Sequence, residues 1–347
     1  MNWMKINSAG YPHFTKLTKP KKSSVYDIYW QFAAKRFDIF VKRLTDIYGP
    51  WTNDPVIAGN RFTNVFRASD RVSQYLIKLQ YEHETNSQEV FFRTMLFKLF
   101  NKIETYEILL KRLGTVSYND FSFSGFDNIL THELAKGNTI YSGAYIMPSA
   151  GSAFGYKFKH SNHLALLSKM MDNKLYEKIQ ESTSLENVFQ LLLGYPSLGN
   201  FLAFQYTIDL NYSGLINFSE MDFVVAGPGA KNGIAKCFWS LGDYSFEDVI
   251  KMMADDQEKE CERLGLEQPN LWGRALQLID CQNLFCEVDK YLRVTNPEVG
   301  GSSGRKRIKQ KFTKSKGPIS LFFPPKWSIN EKIDIICQQT TIGGIFL

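Results

Sequence analysis

Residues 195–233 read YPSLGNFLAFQYTIDLNYSGLINFSEMDFVVAGPGAKNG, and the fold turns on how this stretch is read. A helical pattern ends just before it at Leu193-Gly194. YPSLGN then makes a tight turn, and a new helix opens at Phe201, where Ala203 is small enough for close packing. Helix, glycine turn and helix in that order form a helix-hairpin-helix, whose backbone N–H groups around the glycine and the helix N-terminus bind phosphate. Gly199 and Asn200 are the candidate ligands there. Asp222 follows Gly199 by 23 residues, ahead of the helix-start-like VVAGPGAKNG. A carboxylate so placed either stabilises positive charge on a sugar, acts as base for an incoming nucleophile, or caps a helix. GPGAKNG is no P-loop, because no GK[ST] follows its glycines. Three glycines let the backbone come close to another helix or to a phosphate, for which Lys231 is the candidate.

Outward from the hairpin the pattern stays helical. Ile28, Phe32, Phe37, Phe40, Val41 and Leu44 recur at helical spacing within 24–48, and Gly49-Pro50 ends that run. Helices are expected over about 60–80, 87–111, 163–173, 185–193, 201–209, 246–264 and 271–293. Residues 1–24 read as an irregular basic arm, 137–161 as a long structured loop, 300–317 as a basic flexible loop and 331–347 as a tail. Residues 25–330 would form one helical domain, with room for two lobes. Strand signals are few, so the class is mainly α.

Composition narrows the function. Of 347 residues, 44% are hydrophobic and 22% charged, a balance suited to a large core. No apolar run approaches the roughly 18–20 residues of a membrane span, and the N-terminus lacks a signal peptide's apolar core. The protein is expected to act in the compartment where it is made. Its five cysteines form no CxxC pair and are expected to be reduced, mostly buried thiols. His160 and His163 form an HxxH with no accompanying ligand motif, so no metal is expected. The net charge of +6 is segregated. Lys5, Lys16, Lys19, Lys21 and Lys22 precede the first acid, Asp27, and no acid stands between Glu298 and Glu331. That second gap carries Arg305, Lys306, Arg307, Lys309, Lys311, Lys314 and Lys316. Such a run either binds a polyanion such as DNA or keeps a solvated loop soluble.

Two helix faces carry candidate chemistry. On a helix over 60–80, Asn60, Asn64, Arg67, Arg71, Gln74 and Lys78 share one face with no carboxylate among them. Guanidinium and amide groups in a row suit phosphates or base edges, and Arg61 adjoins them. On the helix within 271–294, Asp280, Asn283, Glu287 and Lys290 form a polar stripe. It could position an amine-bearing ligand, or serve as an intrahelical ion-pair ladder.

The strings WTNDPVIAGNRFTNVFRASDRVSQYLI (51–77), AYIMPSAGSAFGY (144–156), AGPGAKNGI (226–234), LIDCQNLFCEVDKYLRV (278–294), SGRKRIKQKF (303–312) and FFPPKW (322–327) bring in a resemblance. Together they resemble clade two of the alpha-glutamyl/putrescinyl thymine pyrophosphorylase family, the helical domain of 5-hydroxymethyluracil DNA kinases. The resemblance covers about residues 25–330. It implies a helix-hairpin-helix DNA glycosylase fold, in which a catalytic Asp follows the hairpin glycine by roughly twenty residues. It also implies a role in DNA base hypermodification, in the cytoplasm of a bacterial or phage-infected cell. A 5-hydroxymethyluracil-derived, phosphorylated base would be extruded from the duplex. An amine or amino acid would then displace (pyro)phosphate at its 5-methylene group. Asp222, with Asp280 and Glu287, would supply the catalytic carboxylates, while Asn283 and Lys290 position the amine. Arg61, Asn64, Arg67, Arg71, Lys78, Lys231, Arg305, Arg307 and Lys309 would hold DNA. Two alternatives remain: a glycosylase that cleaves the modified base, and a DNA-binding module serving a separate P-loop kinase. No cofactor is expected, and the missing Walker motif argues against kinase activity by this chain alone.

Overall fold

A computed structural model of the protein describes residues 3–6, 12–15, 17–46, 48–82, 86–301, 304–314 and 320–333. Its first elements depart from the irregular arm expected of residues 1–24. β1 (Trp3–Ile6) pairs antiparallel with β2 (Pro12–Thr15), Trp3 opposite Thr15, and β3 (Lys21–Lys22) follows. Strands of two to four residues are too short for an alternating pattern to stand out.

α1 (Tyr26–Thr45) lies within the expected 24–48 and buries Tyr29, Trp30, Phe32, Ala33 and Phe40. The helix expected over 60–80 is not continuous. α2 (Pro55–Gly59) starts on Asp54, whose side chain accepts the Val56 and Ile57 N–H groups. It stops at Asn60, which is extended and turns its amide back onto the Val56 carbonyl at 2.8 Å. Residues 61–66 are not helical, Arg67–Ser69 make one 3₁₀ turn, and α3 (Arg71–Tyr81) begins after Asp70. A non-helical stretch, one 3₁₀ turn and the shorter α3 therefore replace the helix expected over 60–80, and the single cationic face dissolves.

α4 (Ser87–Phe100) and α5 (Ile103–Leu113) divide the helix expected over 87–111. The break is Asn101, held left-handed at φ 49°, a conformation Asn tolerates better than most residues. α6 (Phe123–Ala135), α7 (Gly151–Phe154), α8 (Lys159–Asp172) and α9 (Leu175–Gln180) follow. α10 (Leu185–Leu193) and α11 (Asn200–Tyr212) flank the turn at 194–199 and pack against each other. α12 (Pro228–Cys237) leads into β4 (Phe238–Ser240), which pairs antiparallel with β3. α13 (Phe246–Asp255), α14 (Gln257–Arg263) and α15 (Leu278–Thr295) come last. The fold is mainly α, and no described helix is long and apolar enough to cross a membrane.

The chain divides into two units, Met1–Arg67 with Ala226–Ile319, and Ala68–Val225 with Ser320–Leu347. In the first, α15 is the central helix and α12 lies against it. The glycines of GPGAKNG serve this contact. A Cβ on Gly233 would sit 2.2 Å from the Phe285 carbonyl oxygen, and one on Gly229 would meet Cys286 Sγ at 2.8 Å. In the second unit, α4 and α11 are buried on nearly every side, as expected for helices at the middle of a bundle. They seal in Lys98, which bonds Asp209 at 3.0 Å and Asn101 Oδ1 at 2.8 Å.

Candidate nucleic-acid interface

In the first unit the basic stretch after Gly304 is fastened rather than loose over its described residues, 304–314. Arg61 donates its backbone N–H to Gln310 O at 3.0 Å, and Phe312 donates to Gly59 O at 3.3 Å. Asn60 and Lys311 thus face each other as an antiparallel bridge, and Lys311 Nζ bonds Asn60 Oδ1 at 3.2 Å. The cause is the extended backbone that follows α2. Once the helix stops at Asn60, its unpaired main-chain groups need partners, and the 304–314 segment supplies them. Arg61, Arg305, Arg307, Lys309 and Lys311 are all exposed along this pairing.

Aromatic rings stand among these cations. Phe312 meets Trp51 edge to face at 6.3 Å, with Lys314 5.5 Å and Arg43 5.1 Å from the Trp51 ring. Lys314 also donates to Tyr48 O at 2.7 Å and lies 5.4 Å from its ring, which is 78% exposed. Cations interleaved with solvent-facing rings offer phosphate contacts and surfaces for bases together.

The same extended segment leans on α15, and there the predicted carboxylates are consumed. Asp280 completes the capping box of α15 with Gln277, and its other oxygen accepts the Arg67 N–H at 2.7 Å. Glu287 accepts the Thr63 N–H at 3.0 Å and pairs with Lys290 at 2.7 Å, one rung of the anticipated ladder. Lys290 also donates to Arg61 O at 3.2 Å. Asn283 accepts from Gln282 beside it on α15. The stripe therefore holds residues 61–67 in place, and its carboxylates are occupied by backbone.

The remaining sequence candidates are dispersed. Arg67 is buried, with 3% of its surface exposed, and Asn64 is half-buried. Lys231 is exposed on α12, 5.4 Å from the Phe246 ring. In the second unit Arg71 pairs with Glu104 at 3.1 Å and Lys78 donates to Ser320 Oγ at 3.0 Å. Gln74, expected on the ligand face, is buried and braces Ala68 O and the Phe322 N–H. Gly199 is the N-cap of α11, with Asn200 exposed beside it. Asp222 does not open a helix: it sits in an exposed bend, and α12 starts only at Pro228.

Cys237, Cys261 and Cys281 are buried free thiols, and burial pushes Cys237 and the half-buried Cys286 up to about 12. Cys337 lies outside the described residues. His163 has both nitrogens engaged, Nε2 with Pro148 O at 2.7 Å and Nδ1 with Tyr141 Oη at 2.9 Å. Its Nε2 must donate to the carbonyl, and burial pushes the ring's pKa down to about 4, so at neutral pH the ring is neutral and Nδ1 accepts from Tyr141. No metal-binding group of three is present among the described residues.

What sequence reasoning missed is the anchoring of the basic segment and the Trp51–Phe312 contact. Alternation in a single bridge leaves no period to detect. Comparison with known proteins agrees with the resemblance in outline. A 5-hmdU DNA kinase of Bacillus phage SP10 is 27% identical over 325 residues, covering 87% of this chain and 50% of its own length. The chain thus spans about half the length of that relative. No solved structure matches. The family model described as "5-hmdU DNA kinase, helical domain" matches residues 23–301, well over half of the chain, and the protein belongs to that family.

Proposed function

We propose that this protein is a DNA-holding module for the modification of 5-hydroxymethyluracil bases, working beside a kinase activity carried elsewhere. The observation that carries this reading is the 304–314 segment, clamped along Gly59–Arg61 with its cations exposed and rings among them. Family membership supplies the substrate class, since the phage relative is named a 5-hmdU DNA kinase. Fixed cations reduce the ordering cost of binding a phosphate backbone, which is what a module that presents DNA requires. The α10–α11 hairpin, with Gly199 at the head of α11, supports a glycosylase-like fold in which Gly199 and Asn200 take a further phosphate.

The test is duplex binding by fluorescence anisotropy, on DNA containing 5-hydroxymethyluracil or thymine, across a salt series. Affinity should fall with a log–log slope of about −0.9 for each phosphate neutralised. Arg61→Gln and Lys309→Gln should each make that slope shallower by roughly one contact. Binding that ignores salt, or none at low salt, removes the proposal.

A second reading is transfer of an amine to the 5-methylene group with loss of (pyro)phosphate. One observation favours it: Asp222 is an exposed carboxylate in a bend between α11 and α12, open to an incoming nucleophile as a general base has to be. Incubation of modified DNA with a kinase and amines, then nucleoside mass spectrometry, separates the readings. An adduct means transfer, a released base means glycosylase action, and unchanged nucleosides mean a holding module.

A further inference from the structure

Residues 134–171 form a further acid-free stretch, bounded by Glu133 and Asp172, and it includes the sequence YKFK at 156–159. Here ring and cation alternate, and the structure leaves both rings to solvent: Tyr156 is 46% exposed and Phe158 41%. Neither ring hangs free. Tyr156 rests against Phe123, centroids 5.2 Å apart and planes at 34°, and Phe158 stacks on His160 at 5.4 Å and 20°.

The backbone that presents them is locked from beneath. Asn162, only 1% exposed on α8, accepts the Tyr156 N–H at 3.0 Å and donates to Tyr156 O and Phe158 O, both at 2.9 Å. His160 is braced in turn by Thr131 Oγ1 at 2.9 Å. The lysines lie close by, Lys157 Nζ 5.6 Å from the Phe158 ring and Lys159 Nζ 4.3 Å from the Tyr141 ring. The Asp127 carboxylate beside His160 is engaged by Ser161 Oγ and His160 Nε2. A buried amide spends three hydrogen bonds on holding two exposed rings two residues apart, which packing alone does not require.

We propose that Tyr156 and Phe158 form a stacking platform for unpaired DNA nucleotides, whose phosphates are taken by Lys157 and Lys159. The inference rests on the proposed DNA-holding role and adds to it a site for bases out of the duplex. Preformed aromatic faces with adjoining cations match the π-faces and anionic backbone of a single strand. A duplex keeps its bases stacked internally and offers only their edges.

The experiment uses the full chain with oligonucleotides carrying 2-aminopurine, either fully paired or in a two-nucleotide bulge. On the bulged DNA, binding should change the 2-aminopurine fluorescence. Tyr156→Ala and Phe158→Ala should each weaken bulge binding by about fivefold to a hundredfold while leaving duplex affinity unchanged. Phe158→Leu, which keeps apolar bulk without a π-face, should lose as much as Phe158→Ala, and Phe158→Trp should retain binding. Lys157→Gln should lower the salt slope on single strands by about 0.7. Alanine variants that bind bulged DNA like the parent, or lose duplex binding equally, overturn the platform alone and leave the holding role standing. Parent protein that binds neither DNA overturns both. Sedimentation without DNA showing a dimer that the alanine variants lose would assign the rings to a second copy of the chain, and would also overturn the platform.

Discussion

Asp280 Oδ1 accepts the backbone N–H of Arg67 at 2.7 Å, while its Oδ2 accepts the N–H of Gln277 at 3.0 Å. One buried carboxylate thus caps α15 and tethers the 3₁₀ turn that begins at Arg67. Each bond is charge-assisted, and an N–H left unpaired in the interior costs about 1–3 kcal/mol. Asp280→Ala should therefore lower unfolding stability by about 3 kcal/mol in urea titrations, with DNA affinity per folded molecule unchanged. Asp280→Asn, which keeps an acceptor oxygen, should lose less. Full stability with abolished turnover in Asp280→Asn would restore the catalytic role expected from sequence.

Gly233 on α12 gives a second test. The Phe285 carbonyl oxygen stands 2.2 Å from where a Cβ would be, so the contact is with backbone that cannot rotate away. Overpacking of a rigid core costs typically about 1–3 kcal/mol. Gly233→Ala should fall at or above the top of that range. Gly300→Ala, where a Cβ meets nothing within 4 Å, is the control and should be near neutral. If Gly233→Ala melts like the parent, the close α12–α15 approach is not as described.

The two cases show what the sequence makes legible. AGPGAKNG announces a close backbone approach, since only glycine permits one, but not whether a helix or a phosphate is approached. Asp280 and Glu287 read as free chemistry because their partners, the Arg67 and Thr63 N–H groups, are main chain and carry no residue signal. Helix types are readable where apolar spacing runs uninterrupted, as in α1 and α10. They fail at 60–80, where α2 stops at Asn60 and α3 starts only after Asp70, inside a continuous apolar rhythm. The hydrogen bonds of Asn60 to the Val56 carbonyl and to Lys311 decide that break, and the second partner lies some 250 residues away in sequence. The charge of the 304–314 segment was plain from composition, and its fixed geometry was not.

Asp222 separates the holding and transfer readings cleanly because it does no capping. Exposed in a bend, it should tolerate replacement by Asn within about 0.5 kcal/mol of stability. If the chain transfers an amine, Asp222→Asn should still cut turnover by about two to four orders of magnitude, the usual worth of a general base. Equal product from parent and variant in the nucleoside assay would remove Asp222 from the chemistry.

His163 predicts a pH dependence of stability. The ring is fully buried in the second unit, with Nε2–H donating to Pro148 O and Nδ1 accepting from Tyr141, and burial pushes its pKa down to about 4. In the unfolded chain the imidazole titrates near 6.5. Because the folded pKa lies below the unfolded one, the unfolded state binds the proton first. His163 thus stabilises the fold fully above about pH 6.5, and the contribution drains away as pH falls toward 4. Holding this imidazole neutral in the fold contributes roughly 3 kcal/mol at neutral pH. Burial lowers the pKa of His160 as well, so a variant at His163 alone isolates its contribution. Gln can donate to Pro148 O and accept from Tyr141 without titrating. In urea unfolding at pH 7.5 and pH 4.5, His163→Gln should lose markedly less stability between the two than the parent. Parallel losses in the two proteins would show that this imidazole is not held neutral by the fold.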